Sequence, residues 1–142
     1  MFKNLNKIHP IKRIELLQGL EALHKLNLKN KVIDKVIVFG SSTRNDCTKK
    51  SDIDICFISD YSIRTIEYYN ITSEFSYNIK SYIDSIDYRL VNGLLKDEID
   101  NNGVEVYEYT DDQAKKIKIS LIPDSWKNND IIRVLRIGFF RC

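Results

Sequence analysis

Proline, glycine, cysteine and histidine are all scarce in this chain, at two, five, three and two residues among 142. The few breakers leave no Pro/Gly-rich linker, and there is no repeat or low-complexity segment, so one packed domain is expected rather than two on a tether. A chain of 142 residues with 43% hydrophobic content can fill one core but not two ordinary ones. Cys47, Cys56 and Cys142 are odd in number and lack metal-ligand spacing. His9 and His24 are single and far apart, as surface or partly packed histidines are, rather than ligands. No apolar run approaches the roughly 20 residues that span a bilayer, and the opening residues lack a charged-then-apolar signal segment, so a cytoplasmic location is expected. The formal net charge of +2 is nearly neutral, so the overall balance points to neither nucleic acid nor a membrane surface. No G-x-x-x-x-G-K-[ST] run occurs, which excludes a Walker-type phosphate loop.

The informative stretch is VIVFGSSTRNDCTKKSDIDICF, residues 36–57. Val36 to Phe39 is a β-branched and aromatic run of the kind that forms a strand buried on both faces. Gly40 then breaks it and forces a turn. A glycine lets backbone approach a ligand closely, and the Ser41 hydroxyl with the following amides can receive phosphate oxygens, especially if a helix starts near Ser42 or Thr43. On the next strand Ile53 and Ile55 alternate with Asp52 and Asp54, so both carboxylates share one face. Like charges this close repel, and a divalent cation is the simplest way to keep both ionised; hard oxygen donors favour Mg²⁺ or Mn²⁺. Either half alone is usually a turn or a solvated edge. A Gly-Ser followed at fixed spacing by Asp-x-Asp arises by accident on the order of once in several hundred chains of this size.

The pattern Gly40-Ser41-x10-Asp52-x-Asp54 resembles the signature of the DNA polymerase β-like nucleotidyltransferase superfamily in its minimal (MNT) form. IDSIDYRLVNGLLKDEIDNNGVEVYE, from Ile83 to Glu108, is similar to the closing part of such domains: an acidic strand, a short helix, a glycine and a last strand. The resemblance implies an α/β (α+β) fold, a small mixed sheet flanked by helices, with residues 1–109 as the nucleotidyltransferase domain and 110–142 as a C-terminal extension. It further implies that Asp52 and Asp54 hold two Mg²⁺ ions (or Mn²⁺), that Gly40 and Ser41 grip the triphosphate of ATP, and that a third carboxylate from the later strand helps to hold the metal on the nucleophile side and to remove the acceptor proton. Asp84 is favoured for that place, with Asp87 as the alternative; three apart on a strand, they point to opposite faces. Arg44 stands where many relatives carry a phosphate-contacting arginine, whereas Ser42 departs from the basic residue often found there. Lys49 and Lys50 are expected to be solvated loop charges.

Small MNT domains of this type resemble the antitoxins of HEPN/MNT toxin–antitoxin pairs, some of which transfer AMP from ATP to a tyrosine of a HEPN-family toxin. That acceptor leads. Transfer to a small molecule such as an aminoglycoside is a second reading, and a non-catalytic antitoxin that neutralises by contact is a third. A HEPN-family partner is thus expected, with no membrane or nucleic-acid partner, and an oligomer is compatible with the sequence.

Around these motifs, Pro10 opens a helix with a stripe of Ile11, Leu16, Leu17, Leu20, Leu23 and Leu26. A second helical pattern runs from about Ile63 to Ile79, with Tyr68, Ile71, Phe75, Ile79 and Tyr82 in its stripe. A third lies around Leu94 to Ile99 and ends at Asn102-Gly103, a candidate left-handed cap. Val104 and Val106 suggest a last strand. Residues 110–142 carry seven Lys or Arg against four Asp. There Ile117, Ile119 and Leu121 alternate like a strand, a helix from Asp111 is equally open, and Asp130 is a candidate cap for a further helix.

Overall fold

In the computed structural model, which describes residues 1–110, the chain forms three α-helices and a four-stranded sheet. Helix α1 spans Pro10–Lys29 and strand β1 Ile33–Phe39; a 3₁₀ turn at Gly40–Thr43 follows, then β2 at Ile53–Ser59. Helix α2 (Ile66–Tyr77), β3 (Ile83–Asp87), α3 (Gly93–Asn102) and β4 (Val104–Glu108) complete the order. The sheet runs β3-β2-β1-β4, with β1 antiparallel to both β2 and β4 and β2 parallel to β3. This is the mixed α+β arrangement expected. The expectations for the chain beyond Thr110, including the strand or helix after Asp111 and the helix capped by Asp130, lie outside the described residues.

Local chemistry explains where the elements begin. Pro10 occupies the first turn of α1, where its missing N–H costs nothing, and the His9 ring accepts from Ile11 N at 3.2 Å through Nδ1. Thr65 caps α2 by accepting from Tyr68 N at 3.3 Å. The buried Asn27 fixes the α1–β1 connection: its Oδ1 accepts from Val32 N and Ile33 N at 2.9 and 3.0 Å, and its Nδ2 donates to Ile33 O at 2.8 Å.

One face of the sheet carries the main core. Val36 and Val38 from β1, Ile53, Ile55 and Phe57 from β2 and Val106 from β4 pack against Leu16, Leu20 and Leu23 of α1 and Ile71 and Phe75 of α2. Each such side chain contributes about 1.5–3 kcal/mol by leaving water. Phe57 adds edge-to-face contacts with Phe75 and Tyr68, at centroid distances of 5.4 and 6.3 Å. Among the described residues, the other face has only a small cluster, Phe39, Cys56, Val91 and Ile99, with Ile37, Ile86 and Tyr88 packed at its edge.

Three local expectations are corrected. Tyr82 is not part of the α2 stripe; the helix ends at Tyr77, and Tyr82 stands 73% exposed at the entry to β3. Gly103 is not left-handed, since its φ is −65°. A glycine is needed there for closeness instead, because a Cβ would overlap Ile99 O and come within 2.6 Å of Ile37 Cγ2. Finally, no α-helix starts at Ser42 or Thr43: the Gly40–Thr43 turn is a single 3₁₀ turn, and Arg44 leaves it extended.

Candidate active site

The site is built where β1 ends and β2 begins. Phe39 closes β1, and Gly40 turns the chain with φ +73°, a conformation an L side chain adopts only with strain. A Cβ at Gly40 would also overlap Asp54 Oδ2, so glycine is required both for the turn and for the approach of the carboxylate. Thr43 Oγ1 donates to Gly40 O at 2.8 Å and Arg44 N to Ser41 O at 2.9 Å, which hold the turn closed. Ser42, the position that departs from the usual basic residue, is fully buried, and its carbonyl accepts from His9 N at 2.8 Å.

Antiparallel pairing sets Asp54 opposite Phe39, and parallel pairing sets Asp84 opposite Asp54. Paired residues project to the same face, so Asp54 and Asp84 are neighbours on the face away from α1 and α2. Asp52 precedes β2 by one residue and is exposed at the same end. Ile53 and Ile55, which alternate with the acids, are wholly buried in the main core. The alternation expected from the sequence is present.

The two candidates for a third acid are separated. Asp87 lies at the far end of β3, paired with Phe57. It is 5% exposed and held by Arg89: its Oδ1 accepts from Arg89 N at 2.9 Å and its Oδ2 from Arg89 Nη2 at 2.8 Å. The structure therefore brings Asp84 to Asp54 and gives Asp87 a local ion pair.

A cleft of about 370 Å³ opens here, lined by Phe39, Gly40, Ser41, Arg44, Ser51, Asp52, Asp54 and Glu98. A larger hollow of about 590 Å³ lies between α1 and α2, but its lining of Gln18, Glu21, Lys25, Glu74 and their neighbours contains none of the site residues. The smaller cleft is the one with convergent chemistry. Arg44 stands on its rim, with Nε 3.1 Å from Asp46 Oδ1 and Nη1 4.0 Å from Glu98 Oε1. These exposed pairs are weak, so the guanidinium can turn to another anion at small cost. Lys49 and Lys50 are exposed, as expected of loop charges.

The electrostatics are those of crowded acids. Burial, followed by the charges of Asp84, Asp52 and Glu98, pushes the Asp54 carboxyl above its ordinary value, with Arg44 opposing. Glu98, which lines the cleft, is not among the residues the sequence singles out. Among the described residues, no cluster of three or more His, Cys, Asp or Glu side chains encloses a metal-sized point. The acids form an open set instead. Mg²⁺ commonly takes one or two carboxylates and completes its shell with water and substrate phosphate, so hard, mutually repelling carboxylates at an open cleft fit it.

With that geometry in place, comparison defines the class. The pattern of the family "Polymerase beta, Nucleotidyltransferase" matches residues 21–112, and the chain belongs to this family. A crystal structure of a mutant MntA–HpeT toxin–antitoxin is similar in fold, with TM-score 0.50 and 15% identity over 72% of this chain and 88% of that one. A toxin–antitoxin with AMP-PNP gives TM-score 0.50 and 18% identity over 71% and 87%. A tri-AMPylated Shewanella oneidensis HEPN toxin in complex with MNT antitoxin gives 0.46 and 17% over 75% and 88%. Among curated proteins none matches the chain. No described helix is long and apolar enough to cross a membrane.

Proposed function

We propose that this protein is a metal-dependent nucleotidyltransferase that moves AMP from ATP to a tyrosine hydroxyl of a HEPN-family toxin, and so acts as its antitoxin. The observation that carries the reading is the position of Asp54, opposite Asp84 in the ladder and directly against Gly40 of the Gly-Ser turn. Family membership supplies the reaction class. The toxin–antitoxin assemblies of similar fold, one of them with AMP-PNP, support the choice of partner and nucleotide.

The chemistry asks for few parts. An acceptor oxygen attacks the α-phosphorus of the nucleotide, that bond forms as the bond to pyrophosphate breaks, and charge grows on both oxygens. Asp52 and Asp54 would hold Mg²⁺, with Asp84 completing the set; Mg²⁺ when bound supplies charge stabilisation to the attacking and leaving oxygens. The Gly40–Ser41 turn and Arg44 receive the phosphates, since the one admits close backbone approach and the other offers a planar, charged donor. Asp84, exposed beside Asp54, accepts the acceptor's proton as the new bond forms.

The test is transfer of α-labelled ATP, with Mg²⁺, to the product of the neighbouring gene, using the Asp52→Ala/Asp54→Ala protein as control. Label on a toxin tyrosine that disappears in the control, together with loss of neutralisation, is the expected result. Neutralisation that survives without label would replace the proposal with a contact antitoxin. Label on an aminoglycoside in the absence of any protein partner would move the acceptor to small molecules.

A further inference from the structure

Lys12 is the most unusual residue outside the cleft. It sits in the first turns of α1, ahead of the segment matched by the family pattern, and is 1% exposed. Its Nζ donates to Lys49 O at 3.1 Å and to Ser81 Oγ at 2.7 Å. Among the described residues no carboxylate forms an ion pair with it. A buried ammonium with neutral acceptors alone is costly, and a methionine would fill the same volume without that desolvation. Stability therefore does not explain the lysine. What an ammonium adds over an apolar chain is direction, because its hydrogens are aimed at two fixed oxygens.

Those two oxygens belong to the approaches to the acids. Lys49 precedes Asp52 in the loop that enters β2, and Ser81 precedes Asp84 at the entry to β3. Neighbouring contacts run the same way: Ser81 N donates to Glu15 Oε1 at 2.8 Å, and Ile53 N to Tyr82 O at 3.0 Å. The Gly-Ser turn is held independently, by His9 N donating to Ser42 O. One end of α1 thus grips each segment that carries a site group, and among the described α1 side chains Lys12 is the one that hydrogen-bonds to both acid-bearing segments.

We propose that Lys12 is a positioning residue of the candidate active site, which fixes the loop before Asp52 and the entry to β3 before Asp84 relative to each other. This rests on the nucleotidyltransferase reading for its consequence, since the β2–β3 ladder already pairs Asp54 with Asp84 and the placement of Asp52, outside the ladder, relative to them is what Lys12 sets.

The experiment compares the full chain with Lys12→Met, Ser81→Ala and Ser81→Thr by amide hydrogen exchange, by Mn²⁺ titration followed by electron paramagnetic resonance with AMP-PNP present, and by nucleotidyl-transfer kinetics. In Lys12→Met and Ser81→Ala, amides of residues 49–54 and 81–84 are expected to exchange at least about tenfold faster, while those of 68–75 in α2 keep their protection. Mn²⁺ affinity and kcat fall about tenfold with the KM for ATP within about twofold, because the phosphate-binding turn is anchored elsewhere. Ser81→Thr keeps the hydroxyl and behaves as the parent. Where Lys12→Met does not fold, Ser81→Ala carries the comparison, since it removes one acceptor and leaves the lysine on Lys49 O. Unchanged exchange in both segments, a uniform rise across the chain, or a local rise with normal Mn²⁺ affinity and kcat would each overturn the proposal. If the parent binds no Mn²⁺ and transfers nothing, the nucleotidyltransferase reading fails, and the exchange data still decide whether Lys12 fixes the two segments.

Discussion

The two faces of the sheet are made by the same strands and do opposite things. Toward α1 and α2, β1 and β2 present Val36, Val38, Ile53, Ile55 and Phe57, all at most 1% exposed, and every contact lowers the free energy. Toward α3 the apolar cluster is small, and at one end of the strands it gives way to Asp54 and Asp84 with Asp52 and Glu98 close by. The period of two makes this division possible: a strand can anchor itself with alternate residues while the intervening ones accept a destabilising arrangement. The first face supports the crowding of charge on the second.

Strand β3 gives the sharpest way to break that comparison, because one acid of each kind lies on it. Asp84→Asn is expected to reduce nucleotidyl transfer by roughly 10²–10⁴-fold, the range for a lost proton acceptor, with no loss of stability. Asp87→Asn should do the reverse. It weakens the charge-assisted bonds with Arg89 and lowers unfolding free energy by about 1–2 kcal/mol while transfer persists. Paired label-transfer and denaturant measurements check both; equal activity losses in the two variants would show that the faces are not functionally separate.

Gly40→Ala is the next largest. The new Cβ meets Asp54 Oδ2 at a φ that disfavours alanine, so the turn or the carboxylate must move. Stability should fall by about 1–2 kcal/mol, and transfer with it by about tenfold or more through misplacement of the acid. A kinetic comparison at saturating ATP reads the second effect separately from the first.

Much of this was legible from the residues. The Gly40-Ser41 and Asp52-x-Asp54 spacing located the cleft, because backbone period alone decides which side chains share a face. The three-residue gap between Asp84 and Asp87 likewise required that only one could join. Buried polar groups were not legible. Lys12, Asn27 and the His24–Tyr107 pair, 2.7 Å between Nδ1 and the hydroxyl, look like polar surface in the sequence, and their burial depends on partners distant along the chain. Glu98 escaped for the same reason, since helix periodicity fixes a face but not the depth at which it meets the sheet. The sequence context of Gly103 suggests a left-handed cap, whereas the requirement comes from closeness to the Ile99 carbonyl oxygen and to the Ile37 side chain on β1.

The smallest expected effect tests the energetic half of the comparison. The Asp54 carboxyl titrates above its ordinary value of 3.8, first through burial and then through Asp84, Asp52 and Glu98. A carboxyl raised in the folded state binds more protons folded than unfolded across that window. Stability therefore falls as pH rises from the ordinary value through the raised one, and the deficit persists at neutral pH. Asp54→Asn removes the charge but keeps the shape, so without divalent cation at pH 7 it should melt above the parent, a gain that shrinks as pH approaches 3.8. Mg²⁺ with nucleotide should raise the melting temperature of the parent and not that of the variant, because a ligand stabilises only the state that binds it. Calorimetry at the two pH values, with and without Mg²⁺ and AMP-PNP, separates these effects. A variant less stable than its parent at pH 7 would mean that Asp54 contributes to the fold, and that the acid-bearing face is not maintained at the expense of stability.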